Sequence, residues 1–143
     1  MNRAAQVYRQ RAVETATPVG RVVLLYGTAI ASVRRAIDAI AAADVEKRVS
    51  EMNHVLTVLS ELQGTLDFER GGEVARSLDR FYEAMRSRAL EGSMYSSTEI
   101  LEHLATQLHQ MREAWQTVDR ETLAAAVRAN ASAADAKRLE VRR

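Results

Sequence analysis

The stretch Leu66-Asp67-Phe68-Glu69-Arg70-Gly71-Gly72-Glu73 separates two strongly periodic amphipathic segments and dictates where this chain has to turn. Upstream, Val45, Val49, Met52, Leu56, Leu59, Gln63 and Leu66 recur in steps of four and three, the spacing of one helix face. Downstream, Val74, Leu78, Phe81, Met85 and Ala89 do the same. Either Gly71 or Gly72 can take the left-handed conformation that stops a helix, so the upstream helix is expected to end at the glycine pair. Glu73 then falls in the first turn of the next helix, where a carboxylate favours the positive end of the dipole. Two long helices joined by so short a connection have no chain length to cross a bundle, and must pack antiparallel.

The same reading extends in both directions. Thr17-Pro18 places a capping hydroxyl before a proline, which the first helical position tolerates, and a helix follows on Val22, Tyr26, Ala29, Ile30, Val33, Ile37 and Ile40. Ala41-Ala42-Ala43-Asp44 breaks that pattern, with Asp44 as the next cap. After Glu91-Gly92-Ser93 the third stripe is lost, and Ser96 to Glu99 has the spacing of a capping box for a fourth helix on Leu101, Leu104, Leu108, Met111, Trp115 and Val118. The expected fold is all-α: an antiparallel up-down four-helix bundle over residues 1–118. Asp119 can cap one more helix through Leu123, Val127 and Leu139, but the alanine-rich run 124–136 carries a weak apolar stripe, so residues 119–143 read as a loosely docked or frayed tail.

Several function classes are excluded or weakened by what is missing. A chain of 143 residues suits one domain, and its net charge of +1 gives no electrostatic case for nucleic acid; the basic clusters Arg34-Arg35 and 137–143 are interspersed with acids and read as solvated surface. The absence of cysteine removes disulfides, thiolate nucleophiles and thiolate metal sites, and fits a reducing cytosol. Apolar runs such as Val22-Val23-Leu24-Leu25-Tyr26 fall far short of the roughly 20 residues that span a bilayer, and the basic N-terminus develops no signal-peptide core, so no membrane insertion is expected. No glycine-rich phosphate loop or nucleophile motif is present, and no catalytic residue, metal site or cofactor is assigned. Glu51-Met52-Asn53-His54 has the Glu-x-x-His spacing of di-iron bundles, but no second copy exists, since Ile100 and Thr106 precede His103 and His109. A phosphotransfer bundle using His54 is the alternative function, weakened by Thr57 and Val58 where a lysine and a small residue are needed.

The apolar surface is wider than one seam requires. Val55, Val58 and Leu62 add to the second helix, and Val23, Leu24 and Leu25 to the first. Such a surplus either widens the core stripe or forms a groove for an amphipathic partner helix.

An ordered set of marks narrows the choice: Tyr8, Thr15-Ala16-Thr17-Pro18, Leu25-Tyr26, Glu61-Leu62, Leu66-Asp67, Gly71-Gly72-Glu73, Leu78, Phe81-Tyr82 and Arg112-Glu113-Ala114-Trp115. With these the chain resembles the flagellin-specific secretion chaperone family, FliS. The resemblance implies a cytosolic, non-enzymatic chaperone that binds the disordered C-terminal segment of flagellin, prevents premature polymerisation and delivers the subunit to the flagellar type III export gate. It implies no nucleotide and a mobile N-terminal lid over residues 1–16; a monomer or weak homodimer is expected. Carried over by position, Tyr8 belongs to that lid and is a candidate for gate contact; Leu25 and Tyr26 lie near it; Gly71-Gly72-Glu73 are architectural and Trp115 is core. Val55, Val58 and Leu62 are assigned cargo contact on the strength of the surplus face alone. The chain departs from the family pattern at Gly27, where an acid is usual and a glycine allows closer helix approach, and at Leu90 to Ser96. From Asp119 onward no family motif matches.

Overall fold

The computed structural model describes residues 18–117 and 124–130. Four helices, α1 (Pro18–Ala41), α2 (Val45–Gly64), α3 (Phe68–Met94) and α4 (Thr98–Thr117), are joined by connections of three residues each. Residues 124–130 are also helical and are labelled α5, and no strand occurs among the described residues. Side-chain pairs show the antiparallel sense: Ser32 meets His54 while Arg35, a turn further along α1, meets Glu51, a turn earlier on α2. Between α2 and α3, Gln63 reaches Asp79 and Ser60 reaches Arg86. Each helix packs against two neighbours, α1 on α2 and α4, α3 on α2 and α4, so α1 and α3 occupy opposite corners of an all-α, up-down bundle.

The stripes of α1, α3 and α4 are buried largely as expected, with Tyr26, Val33, Leu78, Phe81, Met85, Leu101, Leu104, Leu108 and Met111 in one continuous core. The stripe of α2 is not. Val55, Val58 and Leu62, expected to form a surplus outer face, are fully enclosed with Met52 and Leu59, whereas Val45 and Val49 are 57% and 41% exposed. A helix at the corner of a square bundle faces two neighbours, so its buried sector is wider than one seam. At the start of α2 the adjoining chain ends in the α1–α2 turn, leaving Val45 and Val49 without cover. The remaining surplus is on α1, where Val23 and Leu25 are half-buried and Leu24 is 36% exposed.

Helix ends are set by polar side chains. Asp44 caps α2 as expected, accepting the Lys47 N–H at 3.1 Å. The end of α2 and the start of α3 differ from the sequence reading: α2 stops at Gly64, and Asp67 caps α3 by accepting the N–H groups of Glu69 and Arg70, both at 3.1 Å. A carboxylate serving two of the donors left free at a helix start outweighs the glycine signal four residues later. The glycine pair instead breaks α3 internally, with Gly72 at φ 51°, ψ −125°, and Glu73 follows in the first turn beyond that break. Arg76, with Arg80, holds the Glu73 carboxyl below its ordinary range. At the other end α3 runs through Gly92 to Met94, and a Cβ at Gly92 would lie 2.5 Å from Leu101 Cδ2, so the glycine accommodates the close approach of α3 and α4 there. Ser97, one residue later than expected, caps α4 by accepting the Ile100 N–H at 3.2 Å. Gly27 is not a close-approach site: a Cβ there meets only the Arg112 guanidinium, at 3.8 Å.

Gly72→Ala is expected to destabilise the bundle by about 1–3 kcal/mol, since its backbone lies where an L side chain is strained. Gly64→Ala, in open space in the last turn of α2, is expected to be neutral or to stabilise by up to about 1 kcal/mol. Urea unfolding of both variants checks the contrast.

Candidate partner-binding groove

The end of the bundle where α1 and α3 begin and α2 and α4 finish carries an open groove of about 950 Å³. Val22 and Leu78, almost fully buried, form its floor; Leu25, Leu66, Val74 and Trp115, each half-buried, form its walls. Val22 and Leu25 lie one turn apart on α1, and Val74 and Leu78 one turn apart on α3, so two short apolar rails face the same space. This spacing suits anchors on an entering helix. Arg21, Glu61 and Asp67 add charge of both signs to the lining. Gly71 and Ala75 line the groove beside the break at Gly72, which ties its shape to the backbone turn there. Pro18 is also on the lining, so residues 1–17 join the bundle at the groove itself.

Beneath the groove the central core holds a pair of buried hydroxyls. The Tyr26 hydroxyl donates to the Tyr82 hydroxyl at 2.9 Å, with ring centroids 6.2 Å apart, and Phe81 sets its ring edge-on to Tyr82 at 5.7 Å. The two tyrosines come from α1 and α3, the opposite corners. Burial pushes the Tyr26 phenol well above its ordinary value, with the neighbouring Tyr82 adding to the shift, and burial raises Tyr82 likewise. Trp115 stands beside both phenols, its indole N–H enclosed and without an acceptor at bonding geometry. Its role is thus double: packing on the core and walling the groove.

Of the residues singled out from the sequence, Leu25 is the one found on the groove wall. Tyr26 is directly below it with no exposed surface, and Val55, Val58 and Leu62 are interior. Tyr8, the lid 1–16 and the Thr17 cap lie outside the described residues. In the sequence Leu66, Val74 and Val22 stand out only as stripe residues; what marks them for the groove is position at the end of a stripe, where the neighbouring helices stop. His54 shares a 2.7 Å hydrogen bond through Nδ1 with the Ser32 hydroxyl, and Glu51 is paired with Arg35. Both side chains therefore belong to the α1–α2 seam. Among the described residues no cluster of three or more metal-ligating side chains forms, and no helix is long and apolar enough to cross a membrane.

The described residues thus form an all-α helical bundle with an apolar groove at one end. Residues 1–122 match the family described as Flagellar protein FliS. Similar proteins include the flagellar secretion chaperone FliSB of Pseudomonas aeruginosa, 26% identical over 118 residues, covering 82% of this chain and 94% of that one. The flagellar secretion chaperone FliS of Bacillus subtilis is 28% identical over 109 residues, covering 76% and 80%, and that of Salmonella typhimurium 27% over 115 residues, covering 80% and 85%. The chain belongs to the FliS family of flagellar proteins, a family of secretion chaperones and not of enzymes.

Because both phenols are held neutral in the fold, while an exposed tyrosine ionises near pH 10, stability is expected to be complete below about pH 10 and to fall as pH rises above it. Replacing Tyr26 and Tyr82 together with Phe should flatten that decline. Urea midpoints measured between pH 8 and pH 11 test this.

Proposed function

We propose that this protein is a cytosolic export chaperone that binds the disordered C-terminal segment of flagellin, blocks premature polymerisation and hands the subunit to the flagellar type III export gate. The observation that carries the reading is the apolar groove walled by Leu25, Leu66, Val74 and Trp115 in a bundle of the FliS family. A disordered segment that becomes helical on binding can lay apolar residues one turn apart against the two rails, and the surface it buries is then withheld from other subunits. Ordering the segment costs free energy, so affinity has to come from a long contact rather than from one pocket. Tyr8 and the N-terminal segment, joined to the bundle at the groove rim, are assigned to gating the groove and to contact with the export gate. Leu25 is the wall contact for cargo, with Tyr26 holding the wall from beneath. Val55, Val58 and Leu62 support the groove from the core, and would touch cargo only if the helices parted.

Calorimetric titration with the C-terminal segment of flagellin from the same organism should give saturable one-to-one binding, lost when that segment is deleted from flagellin. Leu25→Asp, with a cooperative melt confirming that it is folded, should weaken binding about 10- to 100-fold, the equivalent of one buried leucine. A folded bundle that shows no heat with the segment, or a Leu25→Asp protein that binds it unchanged, removes this reading of the groove.

A further inference from the structure

Seven large apolar side chains are exposed among the described residues, and five of them, Val45, Val49, Leu90, Met94 and Tyr95, belong to the end of the bundle opposite the groove. They are not scattered there. Val49 stands seven residues before Leu56 and fourteen before Gln63, spacings that return to nearly the same flank of α2, and Gln63 donates to Asp79 and Glu83 of α3. Leu90 stands seven residues after Glu83 and Met94 eleven after it, so both lie on the flank of α3 that meets α2. Val45 and Val49 are one turn apart, as are Leu90 and Met94. These side chains therefore prolong the α2–α3 seam, and Arg48, donating to Ser96 beside Tyr95 at 2.6 Å, joins its two sides.

The seam changes character along its length. Toward the groove end its solvent side is closed by polar bridges, from Gln63 to Asp79 and Glu83 and from Arg86 to Ser60. Toward the other end apolar side chains take their place, with Leu90 48% exposed, Tyr95 70% and Met94 71%. Single exposed apolar residues are ordinary, but five that adjoin on two packed helices make a patch on the order of 500 Å², in the upper range for monomers and a mark of an interaction site. That area falls short of the about 800 Å² each partner gives to a standard interface, so it suits one docked helix better than a second copy of the bundle. Two rails, each one turn long, on adjacent antiparallel helices receive anchors from a helix laid along them.

The edges of the patch select the charge of that helix. Glu46, one turn before Val49, and Glu91, one turn before Met94, form no ion pair among the described residues. The nearby cations are engaged, Arg48 with Ser96 and Arg86 with Ser60 and Gln63. Two unpaired carboxylates on the rim favour lysine or arginine on the incoming helix and disfavour an anionic membrane surface.

We infer that this half of the α2–α3 seam is a docking site for a basic amphipathic helix of a partner protein, anchored on Val45, Val49, Leu90, Met94 and Tyr95 and flanked by Glu46 and Glu91. Helix α2 begins at this surface and ends at the groove, and its 20 residues span about 30 Å. A partner docked here leaves the groove open to cargo. The inference goes beyond the flagellin reading and does not depend on it.

The probe is a designed, fluorescently labelled helical peptide with leucines at three- and four-residue spacing and lysines on both flanks of that stripe, beside a second peptide with glutamates in place of the lysines. Fluorescence anisotropy at low ionic strength should show saturable binding of the lysine peptide to the full chain, about 10-fold tighter than the glutamate peptide. Val49→Asp and Met94→Asp, each shown to be folded by circular dichroism and a cooperative melt, should each weaken it about 10-fold. Glu46→Gln combined with Glu91→Gln should remove most of the preference for lysine, and saturating flagellin C-terminal segment should leave the lysine peptide bound. No binding of the lysine peptide, or binding that survives both aspartate variants, overturns the docking site; equal binding of the two peptides overturns its charge selection. Three other outcomes also overturn the inference by giving the surface a different occupant. Displacement of the peptide by the flagellin segment assigns it to cargo, a dimer in sedimentation that Met94→Asp dissolves assigns it to a second copy, and binding gained only in the chain ending at residue 130 assigns it to the chain's own tail.

Discussion

Two phenol hydroxyls meeting across the bundle axis are the contact on which the rest of the molecule depends. Tyr26 of α1 and Tyr82 of α3 come from helices that otherwise do not pack on each other, so their hydrogen bond and tilted rings set the width of the bundle along that diagonal. Each hydroxyl is buried, and a buried hydroxyl without a partner costs far more than the bond returns, so each tyrosine makes the other acceptable. The groove lies directly above this pair. Its walls hold their spacing because the floor beneath them is fixed.

Polar residues elsewhere define edges in the same way. Asp44, Asp67 and Ser97 end the connections by supplying acceptors to free helix N–H groups, which lets three residues suffice for each turn. Short turns in turn force the up-down order and bring the α1 and α3 starts to the end where α2 and α4 stop. Along the seams, Gln63 ties α2 to α3 by donating to Asp79 at 3.1 Å and to Glu83 at 2.8 Å. At the opposite end Arg48 donates to Ser96 at 2.6 Å, joining the start of α2 to the α3–α4 turn. The two ends differ in consequence: one is closed by turns, the other opens into the groove.

A secretion chaperone of this kind has to hold apolar surface open without aggregating. The structure distributes that surface between two rails, on α1 and α3, each only about one turn long. Neither is a broad exposed face. Of the exposed large apolar side chains among the described residues, Val45, Val49, Leu90, Met94 and Tyr95 lie toward the closed end, while Leu24 and Phe68 lie toward the groove end.

Helix content, the number of long helices and most of the core follow from the sequence by itself, because a stripe at three- and four-residue spacing can be buried in only one way by a helix. The Asp44 cap is equally local: one carboxylate, one N–H three residues on. The meeting of helix ends is not local. Whether Val55, Val58 and Leu62 or Val45 and Val49 are covered depends on where the neighbouring helices stop, and a stripe carries no record of its neighbours' lengths. The glycine pair could be seen to break a helix, but that Asp67 had already started that helix was decided by one carboxylate accepting two backbone N–H donors at once. The groove belongs wholly to the tertiary structure: Val22, Leu25, Leu66, Val74, Leu78 and Trp115 come from four parts of the chain and share a surface only because four helices end together.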